Sequence, residues 1–282
     1  MQVVVTGGSG KLGRAVIDEL IAHGYDVANV DVAPPREQRG SFTRIDLTDF
    51  GQMVEAFSRI DSRYDRVDAV VHLAAIPGPG NAANAATFAN NVVGTYNVFA
   101  AARAAGIRNV VWASSETVLG LPFDEPPPYL PVDEDVPVRP ETTYSLGKVL
   151  DEEMARQFCR WDPELKIIGL RFSNVMEPAD YAQFPAWNDD PAIRKWNLWS
   201  YIDARDGAQA VRRALEHEAR GMDAFIIANA DTVMSRPNEE LVRAVFPDVP
   251  VRRPLGEHDT MLSIDKARRV LGYEPVHGWR TA

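Results

Sequence analysis

The sequence predicts an α/β fold, in which a doubly wound parallel sheet is covered by helices and followed by a smaller lobe. Five short apolar runs rich in β-branched residues lie at 2–6, 26–30, 67–73, 109–113 and 165–171. Stretches of helical periodicity lie between them, at 11–22, 49–60, about 83–105 and 142–160. Strand and helix alternating at this rhythm indicate βαβ units, whose strands are parallel and buried on both faces.

The regular alternation fades after about residue 172. Residues 176–200 are rich in Pro, Trp, Asp and Asn, and they hold three of the six tryptophans. Beyond them the pattern predicts a helix at 204–219, a short strand at 224–228, and helices near 237–245 and 263–271. We therefore expect a body at 1–172 and a mainly C-terminal lobe at 173–282, some of whose segments return to the body.

Composition narrows the class of protein. The 282 residues carry a formal net charge of −10, which argues against a nucleic-acid partner because phosphate binding needs a basic face. No apolar run reaches the roughly 18 residues of a membrane span. Strand-like residues begin at position 2 and leave no room for a signal peptide, so a cytoplasmic location is expected. The single Cys159 excludes an internal disulfide, and the histidines lack metal-ligand spacing.

A glycine-rich segment, Thr6-Gly7-Gly8-Ser9-Gly10-Lys11-Leu12-Gly13, joins the first strand to the first helix. Glycines at this spacing permit a tight turn, close approach of a pyrophosphate and close packing of helix on strand. The helix start offers unpaired N–H groups and the positive end of its dipole to phosphates. The motif predicts a Rossmann-type dinucleotide site that Gly7, Gly10, Lys11, Leu12 and Gly13 line.

Asp31 follows the second strand, eighteen residues after Gly13. A carboxylate there accepts hydrogen bonds from the adenosine ribose hydroxyls and repels a 2′-phosphate, so NAD is favoured over NADP. Arg36 lies five residues further on, and it leaves open whether NADP is tolerated.

Tyr144 and Lys148 are four residues apart in a helical stretch, so the phenol and the ammonium share one helix face. A nearby cation stabilises the phenolate, which favours general acid–base catalysis near neutral pH. Ser115 lies just after the predicted strand at 109–113, at the carboxyl edge of a parallel strand where doubly wound sheets place their ligands. The alternative for this hydroxyl is a hydrogen bond to its own backbone.

Together these motifs resemble the extended short-chain dehydrogenase/reductase family, the branch that contains NAD-dependent epimerases, dehydratases and sugar dehydrogenases. Further segments match in order: Asp46-Leu47, His72-Leu73-Ala74-Ala75, Asn90-Asn91-Val92-Val93-Gly94-Thr95, Leu170-Arg171-Phe172-Ser173-Asn174, Tyr201-Ile202-Asp203-Ala204-Arg205-Asp206 and Ser263-Ile264-Asp265-Lys266-Ala267.

The resemblance implies a role for each matched position. Tyr144 would be the acid/base, Lys148 would hold the nicotinamide ribose, and Ser115 would bond the substrate oxygen. The remaining cofactor contacts would come from Asp46, Leu47, Leu73, Ala74, Ala75, Asn90, Asn91 and Ser173. For the two asparagines, helix capping is the alternative. Relatives often pair through the helices that correspond to 90–105 and 144–160, which predicts a homodimer.

Two departures from the family pattern bear on the reaction. Family dehydratases carry an Asp-Glu pair after the active-site hydroxyl, whereas this chain has Glu116 and Thr117, so dehydration is disfavoured. Glu116 either contacts the substrate or faces solvent. Only 26 residues separate Asn174 from Tyr201, and their only basic side chains are Arg194 and Lys195, which is little positive charge for a diphosphate.

The sequence thus predicts an NAD-dependent oxidoreductase acting on a hydroxyl-bearing carbon of a small sugar, sugar acid or polar alcohol. Asn174, Trp187 and Arg194, with Glu116 and Thr117, are the candidate substrate contacts, and the neighbouring aromatic rings suit the apolar side of a sugar. The alternatives are a nucleotide-sugar epimerase and a non-catalytic NAD-binding sensor.

Overall fold

The computed structural model describes residues 1–58 and 64–281. Its strands are β1 Gln2–Thr6, β2 Asp26–Asp31, β3 Ser41–Arg44, β4 Ala69–His72, β5 Asn109–Ser115, β6 Lys166–Phe172, β7 Val175–Met176, β8 Ile202–Asp203 and β9 Gly221–Ile227. Seven of them form one sheet of parallel strands, in the order β3-β2-β1-β4-β5-β6-β9. The predicted fold class is confirmed.

Helices cover both faces of this sheet. They are α1 Lys11–Ala22, α2 Phe50–Ser58, α3 Asn84–Phe88, α4 Gly94–Ala104, α5 Thr143–Trp161, α6 Phe184–Trp187, α7 Ala204–Glu216, α8 Asn238–Val245 and α9 Asp265–Leu271. The apolar sides of α1 and α7 bury one face of the strands, and those of α2, α4 and α5 bury the other. Burial on both faces explains why runs such as Val3-Val4-Val5 are continuously apolar.

The strand order reverses between β1 and β4, so the loops that follow these two strands diverge. Such a divergence opens a crevice at the carboxyl ends of the strands, which is where doubly wound sheets bind their ligands. The glycine-rich loop follows β1 and Leu73 to Ala75 follow β4, so both predicted cofactor segments flank this crevice.

The segment between β7 and β8 forms a compact unit beside the crevice. Its two ends are held together by the parallel pairing of β7 with β8, and its interior contains the 3-10 turns Pro178–Gln183 and Pro191–Asn197. Phe184 is fully buried at its centre, against the rings of Tyr181, Tyr201 and Trp279. Several aromatic side chains of this segment therefore pack the lobe.

The structure differs from the sequence-based prediction in several elements. The edge strand β3 was not among the predicted apolar runs, because Phe42 is the only apolar residue of its four. The helical stretch 83–105 is interrupted by a π turn at Ala89–Val93. The helix predicted at 204–219 ends at Glu216, and the last two residues of the helix predicted at 49–60 lie outside the described residues. The domain boundary at 172 stays a prediction, and β9 pairs with β6 in the main sheet.

Candidate active site

The glycine-rich loop has no space for side chains at two of its glycines. Gly7 has a φ of +73°, and a Cβ there would lie 2.5 Å from the backbone nitrogen of Ala74. A Cβ on Gly13 would lie 2.1 Å from the carbonyl oxygen of Gly7. Gly10 precedes α1 and provides no side-chain cap, and the first turn holds no acidic residue. The loop and the helix start therefore fit the pyrophosphate of a dinucleotide.

Asp31 lies at the end of β2, directly beside this loop. Its Oδ2 accepts a hydrogen bond from the backbone of Ser9 (3.1 Å), and its Oδ1 accepts one from the backbone of Ala33 (3.1 Å). These two bonds fix the carboxylate at the edge of the crevice. That position is the one from which an acidic residue meets the adenosine ribose in this fold.

Lys11 and Arg14 join the start of α1 to the lobe. The Nζ of Lys11 lies 2.6 Å from the Oδ2 of Asp180, and Arg14 pairs with Glu177 at 2.7 Å. The segment that follows β7 is thereby held over the start of α1. Sequence spacing gave no signal for these contacts, because the partners are more than 160 residues apart.

The predicted contacts after β3 and β4 lie on the two sides of α4. Leu47 is buried against Gly94, and its carbonyl accepts a hydrogen bond from Asn97 (2.8 Å). Asp46 is exposed and accepts hydrogen bonds from Thr48. Leu73 donates its backbone N–H to the carbonyl of Thr6, which ties the β4 loop to the end of β1.

The two asparagines of the π turn do not cap a helix. Asn91 is buried and exchanges two hydrogen bonds with the backbone of Ile76, one in each direction (2.8 and 3.0 Å). Asn90 donates to the side chain of Asn91 at 3.0 Å. The capping alternative is therefore wrong. Asn91 therefore holds the loop after β4. It lies in the π turn, and π turns are frequent at functional sites.

Tyr144 lies in the first turn of α5, which is firmly capped. Thr142 and Ser145 form a reciprocal capping box, with Thr142 accepting from the Ser145 backbone at 3.1 Å and Ser145 accepting from the Thr142 backbone at 2.9 Å. One turn later, Lys148 is buried, with its Nζ 5.9 Å from the centre of the Tyr144 ring. The phenol and the ammonium share one helix face, as predicted from the spacing.

The ammonium of Lys148 donates to the carbonyl of Ala113 in β5 at 2.7 Å, which fixes it at the carboxyl end of the sheet. Ser115 ends the same strand, and its Oγ accepts hydrogen bonds from the backbone (3.2 Å) and hydroxyl (3.0 Å) of Thr117. Because α5 packs on β5 and on the following 3-10 turn Glu116–Val118, the three predicted catalytic side chains belong to neighbouring elements.

A buried polar chain lies behind Lys148, and sequence reasoning missed it. Asp151 lies 3.9 Å from the ammonium, and the hydroxyl of Thr95 donates to Asp151 at 3.1 Å. Thr95 also contacts Nε2 of His72 (3.2 Å), whose Nδ1 contacts Thr6 at 2.7 Å. Burial raises the pKa of Asp151 to about 7 and lowers that of His72 to about 3, so the histidine is neutral at physiological pH.

A second buried pair fixes α5 against the sheet. Arg171 on β6 donates two hydrogen bonds to Glu152, Nε to Oε1 and Nη2 to Oε2, both at 2.9 Å. Ser114 donates to the same carboxylate at 2.8 Å. A bidentate pair of this kind sets orientation as well as distance, so it aligns α5, the helix that carries Tyr144, with β6, and the hydrogen bond from Ser114 ties the same carboxylate to β5.

Glu116 is only 3% exposed, so the alternative that it faces solvent is wrong. Burial raises the pKa of its carboxyl to about 7, although Ser173, Arg194 and Asn197 favour the charged form. Arg194 in turn donates to the side chain of Asn174 (3.3 Å) and to the carbonyl of Ser200 (3.0 Å). The structure therefore assembles several candidate substrate residues in one buried group.

Trp187 packs against Arg194, another of the candidate substrate residues. The guanidinium of Arg194 lies 4.5 Å from the centre of the Trp187 ring and 4.7 Å from that of Trp196, so the two indoles flank the arginine. Trp187 also stacks on Phe184, with ring centres 5.0 Å apart. These contacts orient the arginine through cation–π attraction. Whether Trp187 reaches a substrate stays a prediction.

The fold and the arrangement of Tyr144, Lys148 and Ser115 are those of one protein family. Residues 3–228 match the model of the NAD dependent epimerase/dehydratase family. The chain belongs to that family, which is the extended short-chain dehydrogenase/reductases.

Particular relatives refine this assignment. UDP-glucose 4-epimerase 2 of Oryza sativa subsp. japonica is 30% identical over 219 residues, which cover 71% of this chain and 50% of the rice protein. A solved UDP-galactose 4-epimerase is 25% identical, with a TM-score of 0.71, and covers 98% of this chain and 94% of that chain. A short-chain dehydrogenase/reductase superfamily protein of Agrobacterium tumefaciens, solved with bound NAD, is 25% identical with a TM-score of 0.73 and covers 99% and 94%.

These comparisons favour the nucleotide-sugar epimerase, the alternative drawn from the sequence, over a dehydrogenase of small sugars. The chain spans between 50% and 60% of the length of the curated relatives it matches.

Among the helices of residues 1–58 and 64–281, none combines the length and the apolar character that crossing a membrane would need.

Proposed function

We propose that this protein acts on a secondary alcohol of a sugar unit, with Tyr144 as the acid/base. The observation that carries the proposal is the capped first turn of α5, which holds Tyr144 one turn before the buried Lys148 and packs beside Ser115. Ser115 bonds the substrate oxygen, and Tyr144, held as the phenolate by the ammonium of Lys148, takes the hydroxyl proton and becomes the neutral phenol. NAD held in the crevice would supply the hydride acceptor; a dehydrogenase would release the reduced cofactor, whereas an epimerase would return the hydride to the opposite face of the sugar.

The cofactor is held along the crevice between β1 and β4. Gly7, Gly10, Leu12 and Gly13 leave room for its pyrophosphate at the start of α1, and Lys11 supplies a positive charge there. Asp31 bonds the adenosine ribose. Asp46 and Leu47 border the adenine, whereas Leu73, Ala74, Ala75 and Ser173 follow the strands beneath the nicotinamide half. Tyr144 and Lys148 bond the nicotinamide ribose.

The first candidate reaction is epimerisation of a nucleotide sugar. It is supported by the identity to UDP-glucose 4-epimerases over most of the family region. In such a reaction the sugar loses and regains its hydrogen at one carbon, so the cofactor shows no net change. Glu116 and Thr117 replace the acidic pair of dehydratases, which leaves redox chemistry at the carbinol carbon as the remaining route.

The second candidate is a dehydrogenase of a small sugar. It is favoured by one observation, which is that the 26 residues between Asn174 and Tyr201 hold only two basic side chains, Arg194 and Lys195. Arg194 is buried between two indoles, and Lys195 lies 3.7 Å from Asp124. Neither is a free surface cation for a diphosphate, and a free sugar has no such requirement.

One assay separates the two candidates. The protein is incubated with UDP-glucose or with free hexoses and added NAD, and both the absorbance of NADH and the epimer composition are followed. Epimerase activity produces UDP-galactose without NADH, whereas dehydrogenase activity produces one NADH for each sugar oxidised. If neither product appears with any member of a panel of sugars and nucleotide sugars, the proposed function is wrong.

The partner in solution is a second copy of this chain. Five large apolar side chains are exposed on the adjoining helical face formed by the π turn, α4 and α5: Val93, Tyr96, Leu146, Leu150 and Trp161. Such a patch indicates a protein interface. Light scattering after size exclusion tests this, with Leu150→Glu expected to yield monomers and the distant Val276→Glu, exposed near the C-terminus, expected to leave the mass unchanged.

A further inference from the structure

A buried group of polar side chains lies at the carboxyl ends of β5 and β6. We call it the Glu116 cluster, and its members are Glu116, Ser173, Asn174, Arg194 and Asn197. Glu116 is 3% exposed, Arg194 6% and Asn197 0%. Ionisable side chains are rarely buried to this degree unless they are paired or serve a function, because desolvation of charge is unfavourable.

Among the described residues, the contacts within the Glu116 cluster leave some of its buried polar atoms without a hydrogen-bond partner. Asn197 donates to Oε1 of Glu116 (3.3 Å), and Arg194 uses Nη1 and Nη2 on Asn174 and the Ser200 carbonyl. Within the described part of the chain, Oε2 of Glu116 and Nε of Arg194 make no hydrogen bond of good geometry. Ser173 lies near enough to favour the carboxylate, but its hydroxyl also falls short of that geometry. A purely structural cluster is expected to satisfy such atoms.

The cluster adjoins the acid/base side chain through the fold. Glu116 follows Ser115 directly, and the turn that begins at Glu116 packs against α5, the helix of Tyr144 and Lys148. Ser173 and Asn174 follow β6, which is hydrogen-bonded to β5. The cluster therefore lies at the end of the sheet where the reacting carbon must be held.

The chemistry of the cluster favours one kind of ligand. The carboxylate of Glu116 accepts hydrogen bonds and the guanidinium of Arg194 donates them, and the charge of Arg194 favours the ionised carboxylate. A sugar hydroxyl both donates and accepts, so it complements the pair. A sugar carboxylate only accepts, and beside Glu116 it would meet like charge in a buried site.

We infer that Glu116 and Arg194 determine specificity by binding hydroxyl groups of an uncharged sugar unit and rejecting sugar carboxylates. The inference rests on the proposed function only in taking the ligand to be a sugar, free or carried on a nucleotide. It narrows the substrate class predicted from the sequence, which included sugar acids.

The test compares ligands that differ only in a hydroxymethyl or a carboxylate group: galactose with galacturonate, and UDP-glucose with UDP-glucuronate. Calorimetry gives the affinity of each for the NAD-loaded protein at about pH 8, above the pKa of Glu116. In Glu116→Gln the arginine keeps its charge without the opposing carboxylate. The ratio of the affinity for the sugar acid to the affinity for the matching neutral sugar should therefore rise by about tenfold or more.

Glu125→Gln is the matched control, because Glu125 is exposed in the segment between the turn Glu116–Val118 and α5 and pairs with Arg139. It should leave the ratio unchanged. A folded Glu116→Gln variant, judged by unchanged NAD affinity, whose ratio stays within about twofold of wild type would overturn the inference. If the wild type turns over a sugar and only the ratio fails to move, the proposed function stands and this inference alone falls.

A second measurement varies the pH. Lowering the pH of the wild type from about 8 to about 6 protonates Glu116 and should move the same ratio toward the acid, since the sugar acids stay ionised. The other titratable groups on the packed elements are Arg194, Arg171, Tyr144, Lys148, Asp151 and Glu152. Asp151 titrates over the same range and also acts on the charged ligand, so the pH dependence that belongs to Glu116 is the part that is lost when the same measurement is made on Glu116→Gln. A ratio independent of pH, or the absence of binding by every sugar, counts against the inference.

Discussion

The carboxylate of Asp151 lies 3.9 Å from the ammonium of Lys148, and both side chains are almost completely buried. One turn of α5 thus places an acidic group directly behind the cation that serves Tyr144. Thr95 bonds Oδ2 of Asp151, whereas Oδ1 makes no hydrogen bond within residues 1–58 and 64–281. Burial outweighs the attraction of Lys148 and raises the pKa of Asp151 to about 7.

This raised pKa makes stability depend on pH in a defined direction. An acid whose pKa is higher in the folded than in the unfolded chain stabilises the fold below the unfolded value of about 4, and that contribution is lost as pH rises through about 7. Asp151→Asn cannot ionise. Urea unfolding at a series of pH values should therefore show the variant gaining stability relative to wild type between these two limits.

Glu153→Gln is the control for this experiment. Glu153 lies on the same helix but is exposed, and hydrogen bonds from Gln157 hold its pKa below the usual value, so its loss should not flatten the profile. Parallel stability curves for Asp151→Asn and wild type would show that Asp151 titrates normally in the folded protein.

Tyr144→Phe tests the acid/base assignment. The phenol acts on the substrate, so turnover should fall at least about a hundredfold, the usual scale for a lost acid/base group, while NAD affinity changes little. Steady-state kinetics and NAD calorimetry measure the two effects. Tyr96→Phe removes a hydroxyl from an exposed tyrosine on α4 and should retain full activity. Wild-type turnover in Tyr144→Phe would rule the assignment out.

Asp31→Ala tests the cofactor preference. The carboxylate at the end of β2 accepts ribose hydroxyls and repels a 2′-phosphate, so the wild type should bind NAD more tightly than NADP, and the variant should lose much of that difference. Asp26→Ala, at the exposed start of the same strand, is the matched control. Equal or tighter binding of NADP by the wild type would contradict the prediction.

Glu152→Gln tests the pair that aligns α5 with β6. Removing the charge leaves the buried guanidinium of Arg171 uncompensated, and breaking such a pair should lower the free energy of unfolding by roughly 3 kcal/mol. Denaturant unfolding measures the loss. Glu153→Gln, the exposed neighbour, should change stability little. A small effect for Glu152→Gln would contradict the prediction and show that the buried guanidinium of Arg171 does not depend on the charge of Glu152.

The features readable from the sequence are those with local causes. The apolar runs of β1 and β6 reflect burial on both sheet faces, the glycine spacing of 7, 10 and 13 reflects one tight turn, and the four-residue step from Tyr144 to Lys148 reflects one helical turn. Each depends on neighbours within a few residues, so spacing alone carries the information.

The features that only the tertiary structure decided depend on residues far apart in the chain. Glu116 is buried because Arg194 and Asn197, some 80 residues later, fold over it, and local spacing could not separate that outcome from an exposed carboxylate. Lys11 meets Asp180 and Asp151 meets Thr95 for the same reason. Which side chains converge is set by how helices pack on the sheet, and the one-dimensional pattern of polarity does not contain that information.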